Sequence, residues 1–511
     1  MTPFSDVSKQ AFFFSPLLFL RQNGMMQLAC KACWILLLFL CQKAVIVLLT
    51  YALSSEDQKP LYEQLVDFLR EDILSGQLSS GTRLPSKRNF AGNLGVSSIT
   101  VETAYNRLID EGYVLSEPKK GYYVAELSGQ AQALPKVSVA EIRLPPRHDP
   151  SLTDLSGNRT PAERFPFSVW THLMRETVNE IGEALLIPAP CGGVRSLREA
   201  IAAHLNSFRG MRVDPDQIII GAGTEYLYGL LIQLLGLNRV FCLEDPGYRK
   251  IAQIYASHGV VCHWAQMDSS GITVAGLQAA GADVAHISPT HHFPTGVTMP
   301  VSRRYELLAW ADARPGRYII EDDYDSEFRL TGRPIPSLQS IDKQGSVIYM
   351  NTFSKSLAST IRISYMVLPP TLANMFYQEL AFYSCTVSNF DQYTLAKFIS
   401  GGYFEKHVNR MRLYYARLRR QLLQLIAASP IADRIDVLER DSGLHFLLRL
   451  QTERTDDVLR AGLTERGFNL LPISVYYQHP EDAPAHTFIL NYSSLSVSDL
   501  EKALGILAEL I

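Results

Sequence analysis

Neither sign of charge dominates this chain: 48 lysines and arginines stand against 51 aspartates and glutamates, a net charge of −3. That excludes a grossly basic nucleic-acid coat protein, so any contact with DNA must be local. Cysteine is also scarce. The seven cysteines (30, 33, 41, 191, 242, 262, 385) form no even, closely spaced framework, which excludes a disulfide scaffold and points to a reducing compartment. Cys30-Lys31-Ala32-Cys33 is a lone CxxC without a second pair and reads as coincidence, so no metal is expected. A nicotinamide fingerprint is missing as well, because Tyr226 stands where the third glycine of GxGxxG would follow Gly221 and Gly223. What remains is a 511-residue chain, 47% hydrophobic and 19% charged, which is globular and has a sizeable core. Its length suits about three domains, or one large α/β domain with a small one.

Residues 1–54 form an apolar extension. From Ala32 to Leu53 only Gln42 and Lys43 interrupt "ACWILLLFLCQKAVIVLLTYAL". The run is long enough to cross a bilayer, but a central lysine costs about 2.5–3.5 kcal/mol on insertion scales. A signal peptide fits poorly, since the run is too long and ends in no small-residue cleavage site. The expectation is an upstream start assignment, with the native N-terminus near Val45–Leu49, and a membrane anchor as the alternative.

Residues 55–125 change character. "PLYEQLVDFLREDILSG" spaces Leu61, Leu65, Phe68, Leu69 and Ile73 at helical intervals and stops at Gly76. Ser86 is placed to cap a short second helix that ends at Gly95. The third helix, in "SSITVETAYNRLIDEG", turns Val101, Ala104, Tyr105 and Leu108 to one face. A tight glycine-containing turn joins the second and third, the arrangement of a helix-turn-helix. Two short strands around Lys119-Lys120-Gly121 then make the shape of a wing. A small helical protein-interaction domain is the bland alternative, and eight basic against ten acidic residues leave the module without a basic excess. The cations nevertheless cluster, at Arg83, Lys87 and Arg88 and again at Lys119 and Lys120. These suit phosphates of double-stranded DNA, and Ser86, Ser98 and Thr100 are the polar groups beside them.

"LPSKRNFAGNLGVSSITVETAYNRLIDEGYV" resembles the winged helix of the GntR family over about sixty residues. Two positions depart from the family pattern: Ser98 stands where arginine is frequent and Glu102 where a basic residue is frequent. Residues 126–154 follow as a linker, with four prolines and no periodicity in 126–150.

From 155 to 511 apolar strand-like runs alternate with helical patterns, which argues for a mainly parallel sheet covered by helices. Ligands of such sheets sit beyond the carboxyl ends of the strands. There the chain offers Thr224 at a helix start, Tyr248 after Pro246-Gly247, and Asp322 with Tyr324 on one face of an extended segment. "TFSKSLASTIR" adds Thr352, Ser354, Lys355 and Arg362. A carboxylate suits a pyridinium nitrogen, a tyrosine a phenolate oxygen, hydroxyls and an arginine a phosphate, and a lysine of lowered pKa an aldehyde. One ligand asks for all of these, pyridoxal 5′-phosphate.

"GAGT", "EDPGY", "FPTG", "DDYDSEF" and "TFSKSLASTIR" occur in the order found in class I aminotransferases, and the domain resembles their fold type I. The resemblance implies that Lys355 is the Schiff-base lysine, that Asp322 pairs with the ring nitrogen, and that Tyr324 bonds the ring hydroxyl. It further implies that Tyr248 stacks on the ring, and that Thr224, Thr352, Ser354 and Arg362 hold the phosphate. A winged helix fused to such a domain looks like the MocR/GabR type of regulator. That implies a cytoplasmic, head-to-tail homodimer whose DNA binding responds to a small amine or amino acid. The alternative is a working aminotransferase with an accessory N-terminal module. Phe293 replaces the asparagine that precedes Pro-Thr-Gly in aminotransferases, which argues against full turnover. Val475 replaces the carboxylate-clamping arginine of GABA-sensing members, which argues against GABA as effector. A neutral amine, another amino acid and the cofactor itself stay open.

Overall fold

A computed structural model describes residues 49–54, 58–127, 151–157, 160–329, 336–438 and 443–511. Most of the apolar extension, with its CxxC, and linker residues 128–150 lie outside the described residues. The chain divides into two units, residues 1–147 and 148–511.

In the first unit, helix α1 (Leu61–Leu74) starts after Pro60, and its last turn is followed by Ser75 and Gly76. Leu65, Val66, Leu69 and Ile73 are buried along it, with Gln64 among them. Gln64 is satisfied there, since its amide nitrogen donates to the carbonyls of Ser54 (2.8 Å) and Lys59 (2.7 Å). The expected apolar stripe is therefore rotated slightly. Leu61 is half-buried, and Phe68 is exposed at the rim, stacked on Tyr51 at 5.3 Å between centroids. Ser86 caps α2 (Lys87–Leu94) by accepting from the Asn89 N–H, and Gly95 ends it at φ 68°, a conformation costly for side chains with a Cβ. Ser97 caps α3 (Ser98–Asp110) by accepting from the Thr100 N–H at 3.0 Å. Val101, Ala104, Tyr105 and Leu108 are its buried face, as their spacing requires. Antiparallel strands β1 (Val114–Glu117) and β2 (Gly121–Val124) form the wing.

The second unit is built on an eight-stranded sheet. Its strands are β3 (Ile218–Gly221), β4 (Val240–Asp245), β5 (Val261–Asp268), β6 (Gly271–Ile272), β7 (Val284–Ile287), β8 (Tyr318–Asp322), β9 (Val347–Thr352) and β10 (Ser364–Val367). They lie in the order β3-β10-β9-β8-β7-β4-β5-β6. β9, β8, β7, β4 and β5 run parallel, while β10 is antiparallel to both of its neighbours. Both faces of this sheet are buried. Ile218, Ile220 and Tyr349 pack into one apolar cluster, while the alternate residues Ile219, Ile348 and Met350 pack into another. A strand buried on both faces reads as an unbroken apolar run, and this explains why the strands were legible.

A smaller antiparallel sheet of β11 (Ile435–Leu438), β12 (His445–Leu450), β13 (Leu471–Pro472) and β14 (Thr487–Asn491) has the order β11-β12-β14-β13. Its core includes Phe446, Leu448, Phe488 and Leu490, packed with Tyr415 and Leu422 of the helix Tyr403–Ala427. Among the described residues, no helix is long and apolar enough to cross a membrane.

Candidate functional site

Register brings the expected residues together. Gly221, Ser364 and Thr352 lie side by side across β3, β10 and β9, and Asp322 lies opposite Met350. Beyond these strand ends opens a cavity of about 450 Å³, lined by Thr224, Tyr248, Asp322, Tyr324, Thr352, Ser354, Lys355 and Arg362. All eight residues expected around one ligand thus border one space, of a size ordinary for a small cofactor.

Asp322 ends β8. Tyr228 donates to its Oδ2 at 2.7 Å and His286 Nε2 lies 3.5 Å from the same oxygen, while Oδ1 is buried without a partner among the described residues. The sequence reading missed both partners. Tyr228 follows Thr224 by one turn on α4 (Thr224–Leu235), so the spacing carried a signal; His286 sits inside β7, where nothing marks it. The neighbouring acids are satisfied in other ways. Asp323 accepts from Arg209 (2.6 Å) and Tyr349 (2.7 Å), a cation and a hydroxyl that satisfy the buried carboxylate. Glu321 instead accepts two backbone N–H groups, from Leu338 (2.8 Å) and Gln339 (2.9 Å), and burial holds its carboxyl above the usual range.

The Lys355 amine is pulled below its ordinary pKa by burial, against the opposing charge of Asp325. Such a shift favours the neutral, nucleophilic form. Burial drives the Tyr324 hydroxyl well above its ordinary range, so it keeps its proton; it lies 3.3 Å from His291 Nδ1, which Asp325 holds at 2.8 Å. Thr352 borders the cavity, yet its hydroxyl is committed. It accepts from the Ser354 N–H (3.1 Å) and from Ser364 (2.8 Å), and reaches the Ile363 carbonyl at 3.4 Å. The Ser354 hydroxyl is buried and finds no partner among the described residues.

At the start of α4, Gly223 has φ 93°, and a Cβ there would fall 2.3 Å from Arg362 Nη2. Glycine is therefore required where the guanidinium crosses the helix start. Glu225 on the first turn holds both Arg362 (3.3 Å) and Lys250, and its bond to Lys250 keeps its carboxyl below the usual range. Tyr248 stands half-exposed at the mouth, edge-on to Phe293 at 6.1 Å. Deeper in the wall, Glu244 accepts from the Ser288 N–H at 2.9 Å, and burial pushes its carboxyl up to about 8.

These groups fit pyridoxal 5′-phosphate. An open carboxylate oxygen, an open buried hydroxyl, an arginine over a helix start and a lysine of lowered pKa line one cavity. Among the described residues, no group of three or more histidines, cysteines or acids is placed to hold a metal ion.

Of the residues expected in the winged helix, Lys87 and Thr100 are half-buried and the others are exposed. Arg83 bridges to Tyr123 with its guanidinium against Gly121. Lys87 pairs with Glu102 at 2.5 Å and Lys120 with Glu117 at 2.9 Å, while Arg88 and Lys119 are exposed. Ser98 is exposed at the first residue of α3. Ser86 serves as a cap, and the Thr100 hydroxyl lies 2.8 Å from Ser97 Oγ.

Residues 151–506 match the family described as aminotransferase class I and II, and residues 61–124 match the bacterial regulatory proteins of the gntR family. The chain is 35% identical to the HTH-type transcriptional regulator YdeL of Bacillus subtilis, over 87% of this chain and 95% of that protein. It is 32% identical to MocR of Rhizobium meliloti, named for regulation of rhizopine catabolism, over 89% and 94%. It is 28% identical to PdxR of Corynebacterium glutamicum, named as a regulator of pyridoxine biosynthesis, over 84% and 91%. Among solved structures, a kynurenine aminotransferase of Pyrococcus horikoshii superposes with a TM-score of 0.61 at 24% identity, covering 70% of this chain and 90% of that one.

Proposed function

From a chain that belongs to the MocR-type transcriptional regulators, in which a gntR-family winged helix joins a class I and II aminotransferase domain, we propose a division of labour between its two parts. The winged helix binds DNA, and the C-terminal domain, whose cofactor is pyridoxal 5′-phosphate, senses a small amine. The cofactor supplies an aldehyde that condenses reversibly with amines. Asp322 Oδ1 accepts from the ring nitrogen, while Tyr228 and His286 keep the other oxygen occupied and the carboxylate oriented. Tyr324, protonated, donates to the ring hydroxyl. Tyr248 flanks the ring. Ser354, Arg362, Thr224 and the start of α4 take the phosphate, and Thr352 holds the Ser354 backbone in place. Lys355 presents its neutral amine to the aldehyde.

The observation that carries this reading is the pair of buried, unpartnered oxygens, on Asp322 and Ser354, in one cavity with Lys355. Sensing is favoured over turnover by Phe293, which offers no hydrogen bond where aminotransferases have asparagine. MocR and PdxR are named for rhizopine and pyridoxine metabolism respectively; for this chain we take the effector to be an amine, an amino acid other than GABA, or the cofactor itself. Val475 supports the exclusion of GABA, since it puts no cation where GABA-sensing members have their carboxylate-clamping arginine. The regulator acts as a cytoplasmic head-to-tail homodimer, with Arg83, Lys87, Arg88, Lys119 and Lys120 facing phosphates and Ser98 and Thr100 near base edges. A spectral titration of the cofactor-loaded protein with a panel of amines, run beside DNA mobility shifts, tests the proposal. One amine should change both the visible absorbance and the DNA affinity. Repeated turnover of an amino donor with a keto acid, without any change in DNA binding, would overturn it.

A further inference from the structure

We infer that Ile99 reads a thymine methyl group in the major groove, an assignment that rests on the DNA-binding function proposed above. Ile99 lies on the first turn of α3, the second helix of the helix-turn-helix, and is 74% exposed. A lone exposed isoleucine is ordinary on a protein surface. Its surroundings set this one apart, because the polar side chains that follow it on the helix are already engaged within the protein. The Thr100 hydroxyl meets Ser97 Oγ at 2.8 Å, Thr103 donates back to the Ile99 carbonyl at 2.9 Å, and Glu102 holds Lys87 at 2.5 Å. The leading turn therefore presents the Ser98 hydroxyl and an aliphatic side chain, with the exposed cations Arg88 and Lys119 in the same unit to meet phosphates. Among the base pairs only those with thymine present an apolar group in the major groove, the C5 methyl, and a branched aliphatic side chain is its natural contact.

The test begins with selection of duplexes from a random library by the full-length protein. The selected sequences should share a fixed thymine. Replacing that thymine by deoxyuridine removes only the methyl group, and should weaken binding by the wild type about fourfold, the worth of one buried methyl. Ile99→Ala should bind the two duplexes equally, and Ile99→Val should keep the discrimination, which separates methyl contact from a folding defect. If the wild type does not distinguish thymine from deoxyuridine at any selected position, or if Ile99→Ala still does, the inference is wrong. If no duplex is enriched at all, the DNA-binding reading itself falls.

Discussion

Two ionisable residues lining the cofactor cavity show how burial outweighs their neighbours in setting their state. Folding lifts Glu244 from an ordinary 4.5 to about 8, so between those values the folded protein keeps a proton that the unfolded chain releases. The stability this proton confers is complete below 4.5 and is lost as the pH rises through about 8. Glu244→Gln should therefore flatten the fall in stability of the cofactor-free protein over this range, by at most ~1.4 kcal/mol per pH unit. Thermal melts at a series of pH values measure it, and some slope should persist from Glu327, which burial also raises to about 8. Lys355 has the opposite sign. Its folded pKa lies below 10.5, so the unfolded chain binds the extra proton and stability rises with pH across that interval. Lys355→Met should remove this rise in the cofactor-free protein. Lys355→Ala should abolish the visible band of the bound cofactor, and a retained band would refute the assignment of Lys355.

At the scale of elements, the turn from β3 into α4 is the most constrained piece of the site. Gly223 combines a positive φ with a close approach of Arg362, so alanine there suffers both backbone strain and a clash. Strain of about 1–3 kcal/mol should lower the stability of Gly223→Ala by that amount in chemical denaturation, and displacement of Arg362 should weaken cofactor binding in a spectral titration. In the winged helix the equivalent feature is the Ser97 cap, and Ser97→Ala should cost about 1 kcal/mol in chemical denaturation. Much of this level was legible in the chain. Val101, Ala104, Tyr105 and Leu108 were identifiable because a helix against one core needs a 3.6-residue apolar period. The same period places Phe68 and Leu61 on the apolar stripe, yet they lie at the core's rim, because period alone does not locate the stripe's edge. Gln64 was overlooked because a polar residue enters a core only through partners distant in sequence, here the carbonyls of Ser54 and Lys59.

At the scale of the whole molecule, a protein of net charge −3 must bind DNA through local cations, so affinity should fall steeply with salt. Each phosphate contact contributes about 0.9 to the slope of log affinity against log salt. Arg88→Ala should reduce the slope by roughly that amount, while Lys87→Ala should change it less, because Glu102 already neutralises Lys87. Fluorescence anisotropy across a salt series distinguishes them. Equal slopes for Arg88→Ala and wild type would remove Arg88 from the phosphate contacts.

By itself, the sequence determined the winged helix, the mainly parallel sheet and the residues that meet at its strand ends. Periodicity, caps and strand-end motifs are local, and local features survive in one dimension. Only the tertiary structure decided how the acids of "EDD" divide: Asp322 toward the cavity, Asp323 onto Arg209, and Glu321 onto the backbone of residues 338–339. It also decided that Thr352 is internally engaged while Ser354 is open, and that Tyr228 and His286 stand behind Asp322. These choices depend on donors up to 114 residues away, brought into contact by strand register and sheet order. A motif names the groups available for chemistry; packing decides which of their lone pairs and protons are left for a ligand.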